Sequence, residues 1–295
     1  GHLLDGSESI FGFITEHRSE FGVQEMCRVL GVTRSWYYAH AAGRVTKRQR
    51  DDQELLPAIK KAFKDSDETY GAARIVEDLR KHQRRVGKNR VWRLMRENDL
   101  RVKTRRRFKV TTNSDHKRPV APNLVQRQFS AEAPNRVWTG DITYIETAQG
   151  WLYLAVVLDL FSRRIVGWSM SERMTDELVV AAFSNAQVKR RPSPGFLFHS
   201  DRGSQYCSKR FGAIVSKAGG VQSMSGTGCC YDNAVTETFF STLKRELVYH
   251  CSFKTRQEAQ SRIFCYIEGF YNRKRLHSAI GYCSPEEFEQ QELRM

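Results

Sequence analysis

The sequence predicts a mixed α/β sheet domain with helices packed on both faces, preceded by small all-helical modules. Three observations predict it. From Arg136 onward the chain changes to short β-rich runs on tight connections, and then alternates helix and strand signals. Before that point, residues 8–41 and 54–99 carry apolar side chains at helical spacing. The positive charge also gathers in the helical part. Residues 41–120 hold 24 Lys+Arg and 11 Asp+Glu, an excess of 13 in a chain whose total excess is 15.

The 295 residues leave room for one large domain and one or two small ones. The longest apolar run, Trp151 to Leu158, is far short of a membrane span, and no charged-then-apolar leader opens the chain. A cytoplasmic protein with no membrane partner is therefore expected. The first two residues, Gly-His, are set aside from fold reasoning. The seven cysteines (27, 207, 229, 230, 251, 265, 283) lack CxxC pairing and are odd in number, so reduced thiols are expected rather than zinc sites or a disulfide framework. A net charge of +15 calls for a polyanionic partner, and its concentration in one stretch favours nucleic acid over an acidic membrane.

Residues 1–45 read as an N-terminal helix-turn-helix. In FGVQEMCRVLGVTRSWYY, 21–38, Val23, Met26, Cys27 and Leu30 line one helix face, Gly31 supplies the turn and Thr33 an N-cap. Trp36 is expected to anchor the second helix in the core, leaving Arg34, Ser35 and Tyr38 to face a DNA groove. Small three-helix folds that bind no DNA share this pattern. Residues 46–109 form a second helical module from Glu54–Ser66, Tyr70–Gln83 and Lys88–Asp99, with Ile75, Leu79, Val91, Leu94 and Met95 as apolar positions. Its basic rim is the loop with Arg84, Arg85 and Lys88 and the segment with Arg105, Arg106 and Arg107. Residues 110–135 hold three of the seven prolines and no sustained apolar run, which is linker composition.

The sheet domain spans 136–250. Its strands are expected at 136–146, 150–160, 163–171, 195–201 and 220–225, and its helices at 176–190, 207–219 and Asn233–His250. Residues 251–295 follow as a C-terminal helical extension, in which Arg273, Lys274 and Arg275 suit DNA contact and plain solvation equally.

Three acids separate themselves. Asp141 lies inside the first strand, Asp201 ends the fourth, and Glu237 sits one turn into the last helix of the domain. If strands one and four are parallel neighbours, Asp141 and Asp201 approach across one spacing of roughly 4.8 Å. A helix packed over that edge brings Glu237 to the same point. Such a set suits a hard cation, Mg²⁺ or Mn²⁺, and two ions about 3.5–4 Å apart serve in-line attack on phosphorus. Asp159 is the rival. A hairpin about residue 148 sets Asp141 opposite Ala155, so Asp159 lies four residues further on, roughly 13 Å away, and is read as pairing with Arg163 or Arg164. Asp176 and Glu177 are read as first-turn helix charges. Glu237, Ser241 and Lys244 share a helical stripe that places Lys244 to hold a DNA phosphate, while Phe239, Phe240, Leu243 and Leu247 form the apolar face. His199 faces the same side as Asp201, and suits a satisfied structural group or a bond to a site carboxylate or the DNA. No phosphate-binding glycine loop or Ser-His-Asp arrangement is readable.

The segments WTGDITYI, VVLDLFSRRIVGW, HSDRGSQY, CYDNAVTETFFSTLKREL and FYNRKRLHSAIGYCSPEEF resemble the retroviral-integrase-like core of bacterial transposases. The match is to the insertion-sequence-three family, in its larger, downstream-frame protein, over residues 20–290. The resemblance implies an α/β ribonuclease-H-like fold with a mixed five-stranded sheet. Asp141, Asp201 and Glu237 become an acidic DDE triad on two metal ions, Lys244 contacts the element end, and His199 and Gln205 support the site. It implies a DNA transposase that binds terminal inverted repeats, through TYGAARI and VTRSWYY, cleaves 3′ ends with water and transfers strands, often through a circular intermediate. Duplex element ends and target DNA are the implied partners, with a homo-oligomer of at least two subunits and a protein from an upstream frame. Where family members often carry basic residues around SGTGCCYDN, this chain has Gly226, Thr227 and Cys229. A DNA-binding regulator with an inactive sheet domain and a nuclease that cleaves without joining are the alternatives, and intact acids at all three positions argue against the regulator.

Overall fold

The computed structural model describes residues 7–43, 45–103, 120–125, 131–226 and 233–292. Two compact units divide the chain, Gly1–Ile59 and Lys60–Met295.

In the first unit, α1 (Ser7–His17), α2 (Val23–Val29) and α3 (Arg34–Ala41) enclose a small core of Ile14, Met26, Cys27 and Tyr37. Gly31, at φ +69°, turns the chain between α2 and α3. The Thr33 hydroxyl accepts the Trp36 N–H at 3.1 Å, capping α3. The expected anchor is displaced by one residue. Tyr37 is the buried aromatic, against Phe11, while Trp36 is half-buried and stacks on His40. With α3 starting at Arg34, one step of about 100° turns Tyr37 inward in place of Trp36.

The helix α4 (Lys47–Asp65) crosses the division between the units. It begins seven residues before the expected Glu54, because Thr46 and Gln49 form a reciprocal capping box: the Thr46 N–H donates to Gln49 Oε1 at 2.7 Å and the Gln49 N–H to Thr46 Oγ1 at 3.2 Å. In the second unit, α5 (Ala72–Lys81) and α6 (Lys88–Glu97) bury the expected Ile75, Leu79, Val91, Leu94 and Met95. The α5 side of this pair is fastened to the C-terminal extension. Tyr70 Oη donates to the Lys274 carbonyl at 3.1 Å and accepts the Leu276 N–H at 2.8 Å, and Arg74 Nε donates to the Leu276 carbonyl at 3.1 Å.

The sheet runs β1 (Val137–Thr147), β2 (Gly150–Asp159), β3 (Ile165–Ser171), β4 (Leu197–Ser200) and β5 (Val221–Met224), in spatial order β3-β2-β1-β4-β5. The hairpin-connected strands pair antiparallel, as the sequence predicts. β1 and β4 pair parallel, which meets the condition for bringing Asp141 and Asp201 together, and β4 and β5 pair parallel as well. Helices α7 (Asp176–Arg190) and α8 (Lys209–Lys217) cover one face, against Trp138, Ala155, Val157, Val166 and Phe198. Helices α9 (Ala234–Glu246) and α10 (Arg256–Phe264) cover the other, against Ile145, Leu152, Leu154, Val156 and Leu158. The alternation along β2 is the period of a strand buried on both sides. Part of the expected linker lies along β5, where the Met224 N–H donates to the Pro122 carbonyl at 3.3 Å and the Leu124 N–H to Ser223 Oγ at 2.9 Å.

The hairpin register corrects one expectation. The loop is two residues, Ala148 and Gln149, with Thr147 opposite Gly150, so Asp141 faces Val156 and Asp159 faces Trp138. Asp159 therefore stands three residues from the Asp141 partner, not four. Its partners also differ from Arg163 or Arg164. Its carboxylate accepts the Asn135 and Phe161 N–H groups at 2.8 and 3.0 Å and lies 3.6 Å from Arg190, because α7 ends over this corner.

Beyond α10 the chain widens into a π-helix, Cys265–Tyr271, and the last described helix is α11 (Pro285–Glu292). Here Arg275 is neither a DNA contact nor solvated. It is buried, and its guanidinium meets the buried Glu246 carboxylate at 2.7 and 2.9 Å. Tyr266 Oη donates to the same carboxylate at 2.7 Å, and Arg74 of α5 lies 3.8 Å from it. Arg273 and Lys274 are exposed, Arg273 lying 3.6 Å from Glu286. Arg275→Met would leave the Glu246 charge buried beside Arg74 alone. A loss of about 3–5 kcal/mol is expected in urea unfolding followed by far-ultraviolet dichroism, and a loss below about 1 kcal/mol would contradict this account of the pair.

Candidate active site

Parallel pairing sets the first two acids. Gly140 is the partner of Ser200 in the β1–β4 register, so Asp141 and Asp201 occupy the next position on each chain, just beyond the last paired residues. Gly140 permits a close approach at this point. A Cβ there would stand 2.5 Å from the Phe198 ring, so a larger residue would push β1 from the layer beneath it. Asp201 leaves β4 in a tight turn, its Oδ1 accepting the Gly203 N–H at 2.9 Å. Asp141 Oδ1 accepts the Ile142 N–H at 2.7 Å.

The third acid arrives on α9. Thr139 and Asp141 share the sheet face that α9 covers, two residues apart. The Thr139 and Thr236 hydroxyls, both buried, meet at 2.7 Å, and Asn233 Nδ2 donates to the Gly140 carbonyl at 3.4 Å. These contacts fasten the first turn of α9 across β1 and set Glu237, one residue past Thr236, toward the two aspartates. Phe239, Phe240, Leu243 and Leu247 are buried beneath it, as the helical pattern predicts.

Electrostatics registers the convergence. Asp141 is held well above the usual carboxylate range, first by burial and then by the charges of Asp201 and Glu237, against the Ile142 N–H and Lys244. Glu237 is raised by partial desolvation and by Asp201. The Tyr206 hydroxyl is also pushed up, by burial and then by Asp141 and Asp201. Lys244 is lowered by desolvation, with Asp141 pulling the other way, and its ammonium lies 4.8 Å from the centre of the Tyr144 ring. Among the described residues, no three acids, histidines or cysteines already close into a metal shell.

The other predicted residues are placed as follows. His199 is fully buried, with Nδ1 2.9 Å from Ser223 Oγ and Nε2 3.4 Å from Ser225 Oγ, which ties β4 to the β5 side. Gln205 Nε2 donates to the Met174 carbonyl at 3.0 Å, bracing the turn after Asp201. Arg34, Ser35 and Tyr38 are exposed on α3, and Arg34 Nη1 donates to Gln24 Oε1 at 3.1 Å. Arg84, Arg85 and Lys88 are exposed between α5 and α6. Arg105, Arg106 and Arg107 lie outside the described residues, as do Thr227 and Cys229. Sequence reasoning missed Thr139, Thr236 and Tyr206, and it read Asn233 at the start of the helix without its bond to the Gly140 carbonyl. Two threonines 97 positions apart carry no local signal of pairing. A groove of about 630 Å³ between β3, α7 and α10, lined by Trp168, Met170, Lys189 and Phe264, contains none of the three acids.

Three family models match: an integrase core domain over residues 131–230, a second integrase core domain model over 237–293, and an HTH-like domain over 49–108. An integrase core joined to an HTH-like domain defines the class. Among curated proteins, the chain is 45% identical over 270 residues to the insertion element IS600 uncharacterized 31 kDa protein of Shigella sonnei, covering 92% of this chain and 99% of that one. It is 42% identical over 283 residues to transposase InsF for insertion sequence IS3A of Escherichia coli K12, covering 95% and 98%. The chain belongs to the IS3-family insertion-sequence transposases. Among solved structures, it is similar to a chain of the simian T-cell lymphotropic virus intasome, with 14% identity, a TM-score of 0.46 and coverage of 72% and 70%. The family acts in DNA transposition through an integrase core, and the expected fold is the observed one. Among the described residues, no helix is long and apolar enough to cross a membrane.

The raised Asp141 carboxyl has a consequence for stability. A carboxyl whose folded pKa exceeds its unfolded value stabilises fully below the unfolded pKa and loses that contribution as pH rises through the folded one. In EDTA, Asp141→Asn is therefore expected to melt above the parent at pH 8, with the difference shrinking toward pH 4. Equal melting temperatures at pH 8 would contradict an Asp141 carboxyl raised by burial and by the neighbouring acids.

Proposed function

We propose that the chain cuts and joins the ends of its insertion sequence, with Asp141, Asp201 and Glu237 as the acidic centre. The fastening of α9 across β1, through the 2.7 Å Thr139–Thr236 contact, is the observation that carries the reading. The donor set is anionic and all oxygen, which suits a hard divalent cation such as Mg²⁺ or Mn²⁺. Asp141 and Glu237 are both raised, first by burial and then by the charge of Asp201, and such a cation relieves both costs. Asp141, Asp201 and Glu237 would hold it. A pair of bound ions supplies activation of the attacking oxygen and charge stabilisation on the leaving one.

The chain's own residues bind and orient the DNA. Lys244, seven positions along the helix from Glu237, holds a phosphate of the element end beside the acids. Water attacks the phosphodiester at the element's 3′ end, and the released 3′-hydroxyl then attacks a second phosphodiester. Each step exchanges one P–O bond for another, so positioning and charge neutralisation carry the catalysis. Joining one end to the other gives a circular intermediate that later enters target DNA. Two ends must be held together, which calls for at least a dimer. The terminal inverted repeats are bound by the helical modules, through Arg34, Ser35 and Tyr38 in the first and Arg84, Arg85 and Lys88 in the second. Arg105, Arg106 and Arg107 add phosphate contacts, and a protein from an upstream frame is a further partner. His199 and Gln205 hold the site's walls.

The test uses a labelled element-end duplex with Mg²⁺. The parent is expected to cleave the 3′ end and join strands, while Asp201→Asn and Glu237→Gln bind the duplex and do neither. Equal joining by Glu237→Gln would sink the triad, and binding without chemistry in the parent would point to a regulator. A second measurement is the salt dependence of duplex binding. With 6–10 phosphate contacts, affinity should fall about 10³- to 10⁵-fold between 50 and 200 mM salt, and a flat response would contradict phosphate gripping by the helical modules.

A further inference from the structure

The helix α6 turns two different faces outward and inward. Val91, Leu94 and Met95 are buried against α5. Asn89, Trp92, Arg93 and Arg96 fall at i, i+3, i+4 and i+7, one stripe on the opposite side. Asn89, Trp92 and Arg96 are exposed and Arg93 half-buried, its guanidinium bonded to Glu97 at 2.9 Å. Such spacing ordinarily marks a core-facing stripe, yet here the one apolar member, Trp92, is 56% exposed. Arg96 lies over its indole at 5.6 Å, a stacked pair that presents a flat apolar surface beside a charge. The one acid that continues the stripe, Glu97, is bonded to Arg93, and the exposed Arg85 and Lys88 precede it. The C-terminal extension meets the α5 side of the pair through Tyr70 and Arg74, while Asn89, Trp92 and Arg96 of α6 are exposed among the described residues.

Resting on the transposase reading, we propose that this stripe reads base pairs in the major groove of the element-end duplex. Phosphate contacts alone would need only lysines and arginines. A cationic helix that holds out an amide and an indole between its charges has the groups that distinguish bases. An amide pairs with adenine N6 and N7, a guanidinium with guanine O6 and N7, and an apolar surface packs on the thymine methyl. Asn89 and Trp92 are then the specificity-determining residues, with Arg96 holding the indole in place and Arg85 and Lys88, at the start of the helix, gripping the backbone. A major groove about 12 Å wide admits one α-helix, and α6 at 10 residues spans about 15 Å of it.

The experiment is selection of duplexes from a random-sequence library by the full chain, the parent compared with Asn89→Ala, Trp92→Ala and Trp92→Phe. Circular dichroism confirms folding, which exposed substitutions leave intact. The parent is expected to enrich a defined motif. Asn89→Ala should lose an adenine preference and Trp92→Ala a thymine preference in it, each discriminating about 5- to 150-fold less, with Trp92→Phe intermediate. The proposal is overturned if the variants select the parent's motif. It is also overturned if they lose affinity equally for motif and random duplex, which would make the stripe a phosphate contact, or if the parent enriches nothing. Strand joining measured on the same samples separates this from the transposase reading. Joining by the parent with an unchanged motif in the variants rejects only the stripe, and an altered motif without joining rejects only the chemistry.

Discussion

Two carboxylates held abreast on neighbouring parallel strands repel each other, and the rest of the molecule is arranged around keeping them there. At roughly one strand spacing, two full charges in a partly screened site oppose one another by about 3 kcal/mol. The β1–β4 pairing that imposes this is short, four residue pairs from Val137 to Gly140. It is held by what lies on both sides of the sheet. One face buries Trp138 and Phe198 under α7 and α8, and the other buries Ile145, Val156 and Leu158 under α9 and α10. Burying each large side chain contributes about 1.5–3 kcal/mol, so a handful of them outweighs the repulsion. The acids are stressed because the hydrophobic layers do not let them part.

The sheet was legible in the sequence because its signals are local. Strand alternation, the tight hairpin and the α7 pattern follow from neighbouring residues, and α7 spans the expected 176–190. The acids were legible for a related reason: a polar residue in an otherwise apolar strand stands out, and parallel pairing then places it. What stayed hidden was long-range. Nothing near Arg275 says that its partner is Glu246, 29 residues earlier, and a run of three basic residues looks like surface. The β1–β2 register error arises where a loop length shifts every later pairing by one step. At Trp36 the helix start was as expected, and the packing of the adjacent Tyr37 against Phe11 decided which of two neighbouring aromatics turned inward.

The location of the acids fits the size of a duplex. A groove of about 630 Å³ suits a small molecule, yet the acids lie away from it, at the open end of β1 and β4. Under the proposed function a double helix is met there by an edge of the sheet, with Lys244 beside the acids.

The two ends of α9 are secured by residues from distant parts of the chain. Thr139 holds the first turn, and Arg275 neutralises Glu246 at the last. On the ribosome, Arg275 emerges 29 residues after the glutamate it serves, and the Lys274 and Leu276 groups that hold Tyr70 and Arg74 emerge with it, long after α5 and α6. A product broken off ahead of the last forty residues would lose Arg275 together with the Lys274 and Leu276 groups that anchor Tyr70 and Arg74. One break would loosen the helix that carries Glu237 and the α5–α6 pair at the same time.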